Sequence, residues 1–263
     1  MAHIQLGEQI SRGAEHCVYR GRGDNADRVY KLAGWWSFWQ GMTPELADRD
    51  LGILEAYDIP HCETRVPELD HDKEGELPHI VDYSNSDQRT LTRYVLDQAY
   101  EEGAHPVRLE DLQDPEVLQQ VVNIMVKIQE VYKDMDLGVD LLGGEAIKDL
   151  LKLPLPVHVD AAIYNLLVNG DKEVKLCDTR FYDFNFGFNR FTSPVLRQIQ
   201  RFQFEILSRL LDDEAEEDQY TRNPKDNPLH IRALGAIAYR GWRLRLKLGD
   251  WMKGLSKFNA ESE

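Results

Sequence analysis

The chain has 263 residues, enough for one large domain or for two lobes sharing a cleft. Its 46 acidic against 31 basic side chains give a formal charge of −15, which argues against general nucleic-acid binding. Cys17, Cys62 and Cys177 are too few and too scattered for a disulfide framework or a zinc site. No apolar run approaches the roughly 18 residues of a membrane span, and the opening MAHIQLGEQI has no signal-peptide core, so a reducing, cytoplasmic setting is expected.

Taken in chain order, residues 1–84 read mostly as short strands. HIQLGEQI, HCVYRG, DRVYKLAG, ETRVPEL and LPHIVDYS each mix β-branched or aromatic residues with turn signals. One helix interrupts them: Thr43 is the candidate N-cap, Pro44 fits the first helical position, and Leu46, Ile53, Leu54 and Tyr57 recur at helical spacing before Ile59-Pro60 stops it. From about residue 90 the texture is mainly helical. Asp114-Pro115-Glu116 repeats the cap-plus-proline start ahead of VLQQVVNIMVKIQEVY, Ser193-Pro194 does so ahead of VLRQIQRFQFEILSRLL, and a last helical pattern runs from about Leu229 to Leu255. The acidic DDEAEED (212–218) reads as a solvated loop. The expectation is an α+β chain with a strand-rich part at 1–84 and a helical part at 85–263.

Within the helical part, HVDAAIYNLLVNGDKEVKLCDT (158–179) is not helical. Leu153-Pro154-Leu155-Pro156 breaks the preceding helix, and Asn169-Gly170-Asp171 supplies a hairpin turn between the strands LLV and EVKL. Asp160 and Asn165 then lie on a loop leading into the hairpin, and Asp178 lies just past its exit. Three oxygen-bearing side chains brought together in this way suit a hard cation such as Mg²⁺. A capping Asp and a turn Asn are the plainer account of the same residues.

This stretch resembles the catalytic loop and metal-binding strand pair of the protein-kinase-like superfamily, H-R-D-x-x-x-x-N followed by D-F-G. His158-Val159-Asp160 stands in place of H-R-D, Asn165 at the metal asparagine, and Asp178-Thr179-Arg180 in place of D-F-G. The resemblance implies that Asp160 accepts the proton of the acceptor hydroxyl while Asn165 and Asp178 hold Mg²⁺ on the phosphates of ATP. It implies a bilobal fold, with a small β-rich N-lobe at 1–84 and a mainly helical C-lobe at 85–263.

Upstream, ISRGAEHCVYRG followed by DRVYK is similar to the Gly-rich loop and lysine strand of the same superfamily. Val18 stands at the valine after the loop and Lys31 at the phosphate-pairing lysine. Against G-x-G-x-x-G the chain offers Ser11, Gly13 and His16, so only Gly13 survives, and Gly13-Ala14-Glu15 looks more like the atypical and small bacterial or viral kinases. Asp50 shares the apolar face of the N-lobe helix and is the expected acidic partner of Lys31. Backbone groups near Val81–Tyr83 are expected to hold adenine. An ordinary hairpin and an exposed helix charge are the plainer accounts of the loop and of Asp50.

No A-P-E stretch follows Asp178, and the next helix start is close. Such brevity is similar to aminoglycoside phosphotransferases and the sugar kinases of the lipopolysaccharide core. The acceptor is accordingly a protein hydroxyl or a small molecule, with a pseudokinase binding module as the third reading. The aromatic segment FYDFNFGFNRF is expected to pack as a fixed plug, so that activity is constitutive, and its Arg180 and Arg190 to face an anionic group. Trp35, Trp36, Phe38 and Trp39 read as packing for the N-lobe helix, with a lid or partner surface as the alternative. Arg240, Arg243, Arg245 and Lys247 read as a solvated face, with an anion site as the alternative.

Overall fold

A computed structural model of the chain describes residues 4–12, 16–33, 43–67, 79–82, 88–91, 94–142, 163–184, 189–214 and 228–240. The fold is α+β with mainly antiparallel sheets. It divides into two compact units. The first comprises Met1–Ala104, Val126–Val139 and Lys175–Ser193; the second comprises His105–Met125, Asp140–Val174 and Pro194–Glu263. The division therefore does not follow a single cut after residue 84, because the first unit takes back two later segments of chain.

In the first unit, strands β1 (Gln5–Arg12), β2 (His16–Gly21), β3 (Arg28–Ala33), β4 (Thr64–Arg65), β5 (His79–Asp82), β6 (Gln88–Leu91) and β7 (Val95–Ala99) form one sheet in the order β4-β7-β3-β2-β1-β5-β6. All its pairs are antiparallel except the short parallel contact of β1 with β5. Ile4, Leu6, Tyr19, Tyr30, Leu32 and Val95 form a buried apolar cluster contributed by the strands. The turn after β2 requires a glycine. A Cβ on Gly21 would lie 1.9 Å from the carbonyl oxygen of Asn25, closer than any side chain can approach.

Helix α1 (Pro44–Ala56) starts as expected, with the Thr43 hydroxyl accepting the Leu46 N–H and Pro44 in its first turn. It buries Ala47, Asp50, Leu51, Ile53 and Leu54. Asp58 follows it in the left-handed region (φ 51°), an aspartate-tolerant conformation that ends the helix, and its carboxylate pairs with Lys127 at 2.8 Å.

The strands β6 and β7 occupy chain read from sequence as mainly helical. The sequence VLDQA hides β7 because two polar residues interrupt its apolar pattern: Asp97 and Gln98 are only 3% and 4% exposed. Asp97 is tolerated there because Arg28 Nε lies 2.6 Å and Arg65 Nη2 2.7 Å from its carboxylate oxygens.

Strand β8 (His105–Val107) and strand β10 (Ile163–Val168) of the second unit pair antiparallel, and with β11 (Val174–Leu176) the sheet order is β11-β10-β8. Helix α2 (Pro115–Met135) contributes its first turns to this unit, capped as expected by Asp114, whose carboxylate accepts the Glu116 N–H at 3.0 Å. Strand β9 (Leu137–Gly138) pairs with β12 (Tyr182–Asp183) in the first unit. Helix α3 (Asn189–Glu214) begins earlier than Ser193-Pro194 and carries Pro194 in its interior. It also absorbs the first residues of the acidic 212–218 stretch. Residues 229–240 form helix α4; residues 241–255 of the expected last helix, including Arg243, Arg245 and Lys247, lie outside the described residues, as does the Trp35–Trp39 cluster.

The hairpin turn forms where the sequence puts it. The Asn169 side-chain oxygen accepts the N–H groups of Asp171 and Glu173 at 3.0 and 2.9 Å, and Lys172 takes the left-handed conformation (φ 62°). Asn169→Ala removes both acceptor contacts and is expected to lower stability by roughly 1–2 kcal/mol. Urea unfolding would read this as a lower midpoint at constant slope, and an unchanged midpoint would refute the role given to the side chain.

Candidate functional site

The first unit holds Lys31, Asp50 and Asp178. Lys31 lies on β3, paired with Val18 of β2 on one side and Leu96 of β7 on the other. Its ammonium is buried and donates to the carbonyl oxygen of Cys177 at 2.5 Å. The Gln98 side-chain amide donates to the same oxygen at 3.0 Å. Two donors on one carbonyl use both of its lone pairs and fix the backbone one residue before Asp178. One carboxylate oxygen of Asp178, Oδ1, is buried with no hydrogen-bond partner.

Asp50 sits on the buried face of α1, as its position predicts, but the expected pair with Lys31 does not form. Asp50 Oδ1 takes the guanidinium of Arg49 at 2.6 Å, and Oδ2 accepts the Phe181 N–H at 3.0 Å, with Arg180 Nε 3.7 Å away. Lys31 donates to a backbone carbonyl instead. The physical reason is competition: two arginines and an N–H already saturate a side chain with no exposed surface. Burial pushes the Asp50 carboxyl up from its usual range, against the pull of Arg49, the Phe181 N–H and Arg180.

Arg180 does not face an open anion site. It is 2% exposed and donates from Nη1 to the Tyr94 hydroxyl at 2.7 Å. His16 Nε2 lies 2.9 Å from the same hydroxyl. The Tyr94 hydroxyl either donates to His16 or accepts a second hydrogen bond from it, according to which imidazole nitrogen carries the hydrogen. Burial, with Arg180 and Lys31 nearby, holds the His16 pKa well below the ordinary value. Phe181 and Phe184 are buried, and Phe184 meets Tyr132 edge-on at 6.1 Å, in keeping with an anchored aromatic segment. Cys62 is a buried thiol pushed up to about 12 by burial, and burial also raises Cys177, so neither is an activated nucleophile.

The second unit holds Asn165. It lies inside strand β10, not on a loop before it, because pairing with β8 extends that strand back to Ile163. Its side-chain nitrogen donates to the Asp140 carbonyl at 2.6 Å. A carbonyl can only accept, so the amide orientation is settled and the Asn165 side-chain oxygen is left to accept from or ligate another group.

Asp160, Gly13, Tyr83 and His158 lie outside the described residues, as do Phe186, Phe188 and the Arg190 side chain. Val81 lies in β5, which pairs with β1; two strands, β1 and β2, separate β5 from the lysine strand. The flanking strand is β7, followed by a turn closed by the Ala104 N–H on the Glu101 carbonyl, with Gly103 at φ 73°.

Among the described residues, no group of three or more His, Cys, Asp or Glu side chains is arranged for a metal. Of the oxygens that suit a hard cation, Oδ1 of Asp178 in the first unit is buried without a hydrogen-bond partner. No helix among the described residues is long and apolar enough to cross a membrane. The chain matches no protein-family model, and no curated protein is significantly similar to it.

The neutral state of His16 gives a pH dependence with a definite sign. Its folded pKa lies below its unfolded value of about 6.5, so below that pH the unfolded chain binds a proton that the native state does not. Stability therefore rises with pH up to about 6.5 and then levels, with a slope of at most about 1.4 kcal/mol per pH unit from this residue. His16→Gln should flatten that part of the curve measured between pH 5 and 7; a slope unaltered by the substitution would show that other groups carry it.

Proposed function

We propose that the chain is an ATP- and Mg²⁺-dependent phosphotransferase with a bilobal, protein-kinase-like fold, moving the γ-phosphate to a hydroxyl. The observation that carries this reading is the arrangement behind Asp178: Lys31 and Gln98 hold the preceding carbonyl while a buried carboxylate oxygen of Asp178 stays without a donor. Leaving an acceptor of this kind unpaired is unfavourable by about 1–3 kcal/mol or more, which a bound cation would offset.

By the motif spacing, Asn165 and Asp178 would hold the magnesium, which when bound supplies charge neutralisation on the phosphate oxygens. Lys31 binds and orients the phosphates after leaving the Cys177 carbonyl, where Gln98 remains as the second donor. Asp160 takes the proton from the acceptor hydroxyl as it attacks phosphorus. Gly13 and Val18 line the phosphate loop and the strand after it. The adenine edge is better assigned to the turn after β7, at residues 100–104, than to Val81–Tyr83, since β7 adjoins the lysine strand.

The acceptor is proposed to be a protein hydroxyl, because the sequence of residues 90–150 suggests neither an obviously acidic pocket for an aminoglycoside nor a basic one for a sugar phosphate. A small-molecule or sugar acceptor is the alternative within the same chemistry. A pseudokinase is a second reading with one specific observation in its favour: the Lys31 ammonium is occupied by a backbone carbonyl at 2.5 Å.

Asp160→Asn and Asp178→Asn are each expected to abolish transfer from γ-labelled ATP while leaving the protein folded. Undiminished turnover in folded Asp178→Asn protein would sink the phosphotransferase reading. Thermal melting should rise more with ATP plus Mg²⁺ than with ATP alone, by the equivalent of about 2.7 kcal/mol at a hundredfold excess over Kd. Lys31→Ala should reduce turnover more than binding. Absence of any nucleotide-dependent shift, matched by silent calorimetry, would instead favour the pseudokinase. Labelling of a lysate would decide the acceptor: label confined to small molecules, above an Asp160→Asn control, excludes a protein hydroxyl.

A further inference from the structure

A buried guanidinium is an expensive thing to place two residues after a metal-binding aspartate. Removing a charge from water is unfavourable by several kcal/mol even after relaxation, and an apolar side chain would pack the site without that penalty. Arg180 is nonetheless among the most buried residues of the first unit, at 2% exposure. Its contacts reach two other elements: the Tyr94 hydroxyl, immediately before β7, at 2.7 Å, and the Asp50 carboxylate of α1 at 3.7 Å. Tyr94 in turn meets His16 at the start of β2, next to the loop at 13–15.

The backbone around Asp178 is bracketed from both sides. Before it, the Cys177 carbonyl takes Lys31 and Gln98; after it, the Phe181 N–H is held by Asp50 and the Arg180 side chain is held by Tyr94. The upstream bracket is not permanent under the phosphotransferase reading, on which this inference rests, because Lys31 must turn to the phosphates. Gln98 alone then remains on that carbonyl. The downstream bracket uses no group that nucleotide would recruit.

We propose that Arg180, with Tyr94 as its hydrogen-bond acceptor, is a positioning residue that keeps the Asp178 carboxylate oriented for the metal when Lys31 leaves the Cys177 carbonyl. It does not touch metal or phosphate. It acts by fixing the backbone from residue 178 to 181, so the segment needs no modification to become ordered. Supporting groups of this kind typically change metal affinity by about 10- to 100-fold when removed.

The test uses the full chain and three variants, Tyr94→Phe, Arg180→Lys and Arg180→Met, with Mn²⁺ and a non-hydrolysable ATP analogue as probes. Free Mn²⁺ is read by electron paramagnetic resonance, analogue binding without metal by calorimetry, and the Phe181 amide by hydrogen exchange. Tyr94→Phe keeps the ring and removes only the hydroxyl, so it carries the test if Arg180→Met fails to fold. Expected are a roughly tenfold or larger loss of Mn²⁺ affinity in the ternary complex, faster exchange at Phe181, and unchanged metal-free binding of the analogue. Arg180→Lys, which keeps the charge but not the fork, should fall between wild type and Tyr94→Phe. Equal loss of metal-dependent and metal-free binding would mean a general structural role and overturn the proposal, as would wild-type metal affinity in folded Tyr94→Phe. If the wild-type chain itself takes up no Mn²⁺ with the analogue, the phosphotransferase reading fails first, before any variant is compared.

Discussion

A carboxylate with no access to water must find its hydrogen bonds inside the protein, and Asp50 finds them on the segment that follows Asp178. Its Oδ2 accepts the Phe181 N–H and its Oδ1 takes Arg49, which itself reaches Asp183 at 3.4 Å. Helix α1 is thereby latched to residues 180–183 at two points. The apolar contacts of α1 provide most of the burial, but they are non-directional. The Asp50 latch has direction, and it sets where the chain after Asp178 can run. Burial that raises the carboxyl pKa while arginines oppose it is the signature of a charge kept in place by its partners.

The sheet contributes the other half of this arrangement. Lys31 on β3 and Gln98 on β7 converge on one carbonyl, and neighbouring strands at sheet spacing are what bring two such side chains to one atom. β7 is an unusually polar central strand, with Asp97 held by Arg28 and Arg65 beside Gln98. Buried polar networks that are fully satisfied rigidify a core and narrow its alternatives. Gln98, beside that network, donates to the carbonyl next to Asp178, whose buried Oδ1 has no hydrogen-bond partner.

Replacing a lysine–acid pair with a lysine–carbonyl contact changes what Lys31 can do. A carbonyl is a weaker partner than a carboxylate, and a second donor already sits on it. An ammonium so held can be released without stranding a buried anion, whereas Asp50 keeps its own arginines nearby. The same logic accounts for a short segment after Asp178 that carries two fully buried phenylalanines and a buried arginine, Phe181, Phe184 and Arg180.

Local chemistry made much of this legible from the residues alone. Thr43-Pro44 starts a helix, Asn169-Gly170 turns a hairpin, and β1 to β3 follow the β-branched and aromatic runs, because caps, turns and strand propensity act within a few residues. Lys31, Asn165 and Asp178 were candidates for the same reason: their spacing repeats a known motif. The sequence could not show β7, where Asp97 and Gln98 break the apolar pattern and are tolerated only through partners up to 69 residues away. Nor could it show that Asp50 would turn from Lys31 to Arg49 and to the Phe181 N–H, the latter 131 residues on. Which donor a buried carboxylate takes depends on every group that folding brings to it. That competition exists only in three dimensions.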